Sequence, residues 1–230
     1  MENIASFLFQ LFVLIFSVVI HEVSHGLMAN RLGDPTAKYE GRLTLNPIKH
    51  FDLFGSFFVP FGLYFLSGGK AVFGWAKPVP YNPYNLRDQR WGPALVAAAG
   101  PAMNILVAVV FGLIIRFLGA SFSLEKIMLN QFVDAGLVSS SIFIYNFIQL
   151  LSFVVLLNLV LGFFNLMPIP PIDGSKILFA FLPYSLRRLE DILETYGMLI
   201  ILLIVFVLFD YFFPIILFIY RFLTGMPFLV

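Results

Sequence analysis

Two of the three histidines in this 230-residue chain stand four apart around a glutamate, in His21-Glu22-Val23-Ser24-His25. On a helix, residues i and i+4 share a face, so both imidazoles can reach one metal ion. A zinc held there lowers the pKa of a water it binds, and Glu22, next to the first ligand, is placed to take the proton as general base. The motif lies deep in the apolar run Ile4–Leu32. Ionisable side chains in such a run are costly and usually functional. The opposing reading, a pair of helix-surface histidines near the membrane interface, is the weaker one.

Catalytic zinc generally takes three protein ligands and keeps one position for water. The chain has no cysteine, so the third ligand must be His, Asp or Glu, and the candidates are His50, Asp52, Glu40, Asp134, Asp173 and Asp210. Asp173 stands out because it follows Asn165-Leu166-Met167-Pro168-Ile169-Pro170-Pro171-Ile172 and precedes Gly174. Prolines remove backbone N–H donors and break a helix. A broken helix at membrane depth is tolerated where it is buried in protein or lines a watery cavity. The competing role for Asp173 is an N-cap on a helix beginning at Ser175.

The elements that must position these residues are membrane helices. Hydrophobic residues make up 60% of the chain and charged residues 12%, against about 45–50% and about 25% in soluble domains. The net charge of +1 supplies no basic stripe for phosphates, which argues against a nucleic-acid partner. No Lys or Arg precedes the first apolar run, which therefore reads as a transmembrane helix and not a signal peptide. Spans are expected at Ile4–Leu32, Pro93–Leu118, Leu137–Met167 and Tyr196–Leu223. Phe54–Leu66 is apolar but short and contains Pro60, so it is expected to be re-entrant.

With that re-entry, Arg31, Lys38, Arg42, Lys49, Lys70, Lys77, Arg87 and Arg90 all face one side, which the positive-inside rule makes cytoplasmic. Lys176, Arg187 and Arg188 fall on the same side, and both termini lie outside. Two clear crossings then separate His25 from Asp173, so the three donors can meet near the cytoplasmic end of the first helix. Thr36–Leu45 alternates apolar and polar residues, the period of a half-buried strand. Ala71–Ala76 could pair with it, and its edge could receive an extended substrate. The expected fold is an all-α polytopic membrane protein of about four transmembrane helices, with a re-entrant segment and a short membrane-surface β-ribbon. It forms one domain over 1–230. The catalytic core covers about 4–182, and a C-terminal amphipathic segment and last span occupy 183–230.

The chain resembles the site-2 proteases, zinc enzymes that cut transmembrane segments inside the bilayer. The matching stretches are HEVSH at His21–His25, GRLTLNPIKHFD at Gly41–Asp52, FGWAKPVPYNP at Phe73–Pro83, AGPAMN at Ala99–Asn104 and NLMPIPPIDG at Asn165–Gly174. They are similar to the minimal prokaryotic branch, without PDZ or CBS domains. The resemblance implies one catalytic zinc ion on His21, His25 and Asp173, with Glu22 as base. It places Asn165 near the scissile carbonyl, where its amide could hold the oxyanion or substrate backbone; equally, Asn165 could bond carbonyls freed by the prolines. Asn104 reads as a polar interhelical contact more readily than as a substrate-binding residue. His50 could approach the zinc, bind a second metal or line the substrate path, and the favoured reading is a histidine that orders its loop.

The expected function is zinc-dependent intramembrane endopeptidase. The expected partners are the bilayer and a single-span or other transmembrane protein substrate. The expected location is a prokaryotic cytoplasmic (inner) membrane, with the active site towards the cytoplasm. A non-proteolytic zinc-binding protein or carrier is the alternative, and Glu22 argues against it, since a carrier needs no base beside its ligand.

Overall fold

In hydrocarbon every backbone N–H and C=O must be satisfied within the protein, which apolar runs of this length achieve as helices. A computed structural model of the chain describes residues 4–66, 77–122 and 138–226. These fold into α1 (Ile4–Arg31), α2 (Thr36–Tyr39), a 3₁₀ turn at Pro47–His50 and a π-helical turn at Phe54–Phe58 that runs into α3 (Val59–Leu66). They continue as α4 (Trp91–Phe122), α5 (Val138–Asn165), α6 (Asp173–Phe181) and α7 (Arg187–Thr224). Three stretches are long and apolar enough to cross a membrane: Phe7–Arg31, Trp91–Gly119 and Asn146–Asn165. The protein is therefore a helical membrane protein. The fourth expected span falls in α7, where Tyr211–Thr224 is the apolar stretch among the described residues.

The chain divides into two compact units. One comprises Met1–Asn104 and Leu161–Leu203, the other Ile105–Val160 and Ile204–Val230. The first contains His21, Glu22, His25, His50, Asn104, Asn165 and Asp173, whereas Asp210 belongs to the second and Asp134 lies outside the described residues. Within the first, Phe61 and Tyr64 of α3 stack on Phe7 of α1, with ring centroids 5.4 and 4.1 Å apart. In the second, the buried Tyr220 hydroxyl donates to Ser152 Oγ at 2.9 Å.

The strand expected at Thr36–Leu45 is not formed: Thr36–Tyr39 is helical and Glu40–Gly41 is a turn. Among the described residues there is no strand at all. The cause is Asp34. This fully buried carboxylate accepts the Thr36 backbone N–H at 3.2 Å and the Thr36 hydroxyl at 2.5 Å. It also accepts the Asn82 N–H at 2.7 Å and the Asn85 amide at 2.9 Å. Capping of this kind, with Pro35 setting the entry, starts a helical turn. The alternation does not map cleanly onto burial either, although Ala37 is buried and Lys38 and Glu40 are exposed as it implies. Tyr39, expected inward, is 82% exposed, and Arg42, expected outward, is 8% exposed. Gly41 has φ +63°, a left-handed turn that glycine adopts without penalty. The proposed partner strand, Ala71–Ala76, lies outside the described residues.

Burial alone would raise the Asp34 carboxyl, but the donors from Thr36, Asn85 and Asn82 outweigh it and hold the group below the usual carboxylate range. A depressed folded-state value contributes stability above the unfolded value of about 3.9, and that stability disappears as pH falls through the folded value. The thermal midpoint of the detergent-solubilised protein should therefore drop on acidification below about pH 4. Asp34→Asn should start lower at neutral pH and lack this part of the drop. Parallel profiles for the two proteins would refute the assignment.

Candidate metal centre

The site is built where α1 and α4 pack with matched spacing. α1 presents Ser17, His21 and His25, and α4 presents Val96, Gly100 and Asn104, each set four residues apart. Residues at this interval stack along one helix face. His21 Nδ1 lies 2.6 Å from Asn104 Oδ1, and Asn104 Nδ2 donates to Ser17 O at 3.2 Å. His25 Nδ1 donates to Val96 O at 2.6 Å. Ascending α1 thus meets descending α4, and the helices run antiparallel over this stretch. Gly100, the middle rung of α4, carries no side chain because the imidazoles fill its place. A Cβ there would lie 2.5 Å from His25 Nε2 and 2.7 Å from His21 Cε1.

The third donor comes from the proline break. α5 ends at Asn165, and α6 begins at Asp173 itself. The N-cap position is Ile172, so Asp173 is the first helical residue, and its Oδ1 lies 3.7 Å from Lys176 Nζ. Two glycines allow the close packing this needs. A Cβ on Gly174 would sit 2.3 Å from Leu166 O, and one on Gly197 of α7 would sit 2.1 Å from Pro170 O. Asp173 Oδ2 is thereby held 3.0 Å from His21 Nε2 and 3.1 Å from His25 Nε2, and the two Nε2 atoms are 3.0 Å apart.

These contacts fix the chemistry of the donor set. Val96 O can only accept, so His25 Nδ1 carries a proton. The Asn104 amide spends its N–H on Ser17 O, so Oδ1 faces His21 and Nδ1 carries the proton there too. Each neutral ring then offers a bare Nε2 lone pair, the state required of a metal ligand. Two lone pairs and a carboxylate meeting about 3 Å apart are held together only by a cation, either a proton shared among them or a metal. Zinc bonds of about 2.0–2.1 Å in a tetrahedron would space the donors about 3.3 Å apart, close to the separations seen. The residues fit a metal. Among the described residues, His21, His25 and Asp173 form the one such group. Where the shared cation is a proton, burial would raise the Asp173 carboxyl, but hydrogen bonds from the protonated His21 and His25 and their charge outweigh it and hold it well below the usual carboxylate range.

Of the remaining candidates, Asn104 touches His21, while Glu22, Asn165 and His50 make their hydrogen bonds elsewhere. Glu22, beside His21, accepts the Val79 backbone N–H on Oε2 at 2.8 Å. Asn165 donates to Leu161 O at 2.9 Å, inside its own helix. Asn104 is the interhelical contact already described. His50 is almost completely buried, donates from Nε2 to Thr44 O at 2.8 Å, and its carbonyl accepts the Lys77 N–H at 2.9 Å. A cavity of about 990 Å³ opens beside the start of α6, with Pro170, Pro171, Ser175, Lys176, Arg90 and Glu194 in its lining. Sequence reasoning did not assign roles to Gly100, Val96 and Val79. The sequence signals were a glycine before Pro101 inside a span, and a valine whose N–H is the sole donor between two prolines.

Residues 9–208 match the model of Peptidase family M50. The chain is 37% identical over 191 residues to "Putative zinc metalloprotease YwhC" of Bacillus subtilis (strain 168), an overlap covering 83% of this chain and 77% of that one. It is 29% identical over 190 residues to "Putative zinc metalloprotease Rip2" of Mycolicibacterium smegmatis, covering 83% and 63%. No solved structure matches it significantly. The family match runs through both halves of the donor set, and the chain belongs to peptidase family M50, the site-2 protease family.

Proposed function

We propose that the protein is a zinc-dependent intramembrane endopeptidase that hydrolyses peptide bonds in or near transmembrane segments of membrane-protein substrates. One observation carries this reading: His21 and His25, inside a candidate span, converge with Asp173, and Glu22 stands next to the first of them. Family membership supports the metalloprotease chemistry.

His21, His25 and Asp173 would hold one zinc ion, which when bound supplies a Lewis acid that polarises the scissile carbonyl and acidifies water. Glu22 takes a proton from the attacking water and passes it to the leaving amine. Asn104 and Val96 keep the imidazoles turned so that each offers Nε2. The loss of such an outer partner typically costs about 10–100-fold in metal affinity. Asn165 uses one amide N–H on Leu161 and has a second with which to hold substrate backbone. Water enters through the cavity beside Pro170 and Pro171.

Phe54–Leu66 dips into the membrane and returns, which puts the basic residues on one, cytoplasmic, face and the site near that face. Two findings support the return. The Lys77 N–H bonds His50 O, and Arg42 joins Lys49 O to the carbonyls of Lys77 and Pro78. The residues flanking 51–76 on either side therefore meet. The location is a prokaryotic cytoplasmic membrane, and the partner is a transmembrane protein, single-span in the simplest case.

The test uses protein reconstituted in vesicles with a single-span substrate labelled at both ends. Cleavage should stop on chelation and return with added zinc, and fragment masses should place the cut in the apolar stretch. Cuts confined to exposed loops would overturn the intramembrane assignment. A zinc-loaded protein that cuts nothing would favour the carrier instead.

A further inference from the structure

We infer that Arg42 is a positioning residue for catalysis, acting through the Lys77–Val79 strap to hold the Glu22 carboxylate. The inference rests on Glu22 as the base.

Arg42 is 8% exposed. A guanidinium is costly to bury and normally takes a carboxylate or phosphate partner. Its described partners are instead three backbone carbonyls: Nη1 donates to Lys49 O, and Nη2 donates to Lys77 O and Pro78 O, both at 3.1 Å. Those carbonyls flank 51–76 on either side, so one side chain staples the two flanks together.

The strap that Arg42 fixes is stiff and poor in donors. Pro78 and Pro80 have restricted φ and no N–H, so Lys77–Pro80 contains two backbone donors. The Lys77 N–H goes to His50 O. The Val79 N–H goes to Glu22 Oε2 at 2.8 Å. The strap also lies flush on α1 one turn beyond Glu22. A Cβ on Gly26 would meet Val79 Cγ1 and Leu43 Cδ2 at 2.7 Å each, and Gly26 shares the Glu22 face at i+4. Arg42 fixes the strap, the strap aims one N–H, and that N–H holds one carboxylate oxygen. The other oxygen is left to handle the proton. Without the bond, the Glu22 side chain is freer to rotate away from the water it must deprotonate, and small misplacements of a catalytic group are costly in rate.

The test is a double-mutant cycle on the zinc-loaded, full-length protein with a transmembrane substrate. Arg42→Lys keeps a buried cation but cannot span three carbonyls. It should lower kcat about 10-fold or more, with KM and zinc content little changed. Glu22→Asp withdraws the carboxylate from Val79 and should lower kcat about 100-fold by itself. The double variant should be no slower than Glu22→Asp alone, because the shorter side chain has already lost what Arg42 supplies. Losses that multiply would overturn the proposal.

Amide hydrogen exchange gives a readout independent of activity. Exchange at Lys77 and Val79 should rise at least about 10-fold in Arg42→Lys, and unchanged exchange would also overturn it. A wild-type protein that cuts nothing counts against the peptidase assignment. Multiplying losses in active proteins count against Arg42.

Discussion

Glu22→Gln should retain its zinc and lose cleavage by about 10²–10⁴-fold, the usual contribution of a general base. The variant is informative because it changes so little else. Glutamine has the same length and shape, and its amide oxygen can still accept the Val79 N–H that Glu22 takes at 2.8 Å. The donors His21, His25 and Asp173 are untouched. What the amide cannot do is take a proton from water and hand it on. Metal analysis on the purified protein and cleavage of a labelled transmembrane substrate measure the two halves of the expectation. Undiminished cleavage would remove Glu22 from the mechanism, whereas lost zinc would show that it supports the site structurally.

Gly100→Ala should have an effect nearly as large by a different route. The added methyl would sit 2.5 Å from His25 Nε2, 2.6 Å from His25 Cε1 and 2.7 Å from His21 Cε1. Carbon in van der Waals contact stands about 3.5–4.0 Å from its neighbours, so the rings must move. They cannot swing aside without breaking the bonds from His25 Nδ1 to Val96 O and from His21 Nδ1 to Asn104 Oδ1. One hydrogen-bond partner of a ligating imidazole is alone worth about 10–100-fold in metal affinity, and this substitution strains two such partners and the imidazoles together. We expect zinc affinity to fall by at least about 100-fold and activity with it. Gly62→Ala in α3 is the control: among the described residues, no atom beyond its own helix backbone lies within 4 Å of its Cβ position, and alanine is a better helix former by about 1 kcal/mol. A Gly100→Ala protein that binds zinc normally would show that the helices can separate at little cost.

The three converging donors were legible because they declare themselves locally or by elimination. His21 and His25 are placed by helical spacing alone, and Asp173 by the absence of cysteine and the proline break before it. Spans were legible because apolar length is a property of the chain itself, and three of the expected four are long and apolar enough among the described residues. The failures have one physical source. Thr36–Leu45 alternates with period two, but Asp34, a residue outside the window, gathers Thr36, Asn82 and Asn85 around itself. Asn82 and Asn85 lie 48 and 51 positions downstream, and no periodicity reports them. Arg42 misled for the same reason, since its three carbonyls come from Lys49, Lys77 and Pro78. Gly100 and Val96 acquire their roles only once α4 lies against α1, because the feature that matters is which rung of one helix faces which rung of the other.

That pairing of rungs makes the centre sensitive to single-residue shifts in the chain. One residue inserted into an α-helix turns everything after it by roughly 100° and advances it by about 1.5 Å. An insertion between His21 and His25 would carry one imidazole round the helix and away from the metal. An insertion between Val96 and Asn104 would leave one ring braced and the other loose. The same insertion in the loop beyond Arg31 would lengthen the chain without changing which faces meet. Tolerance to insertion should therefore map the site more sharply than tolerance to substitution, with two forbidden windows of five and nine residues, His21–His25 and Val96–Asn104, in helices otherwise free to drift in length.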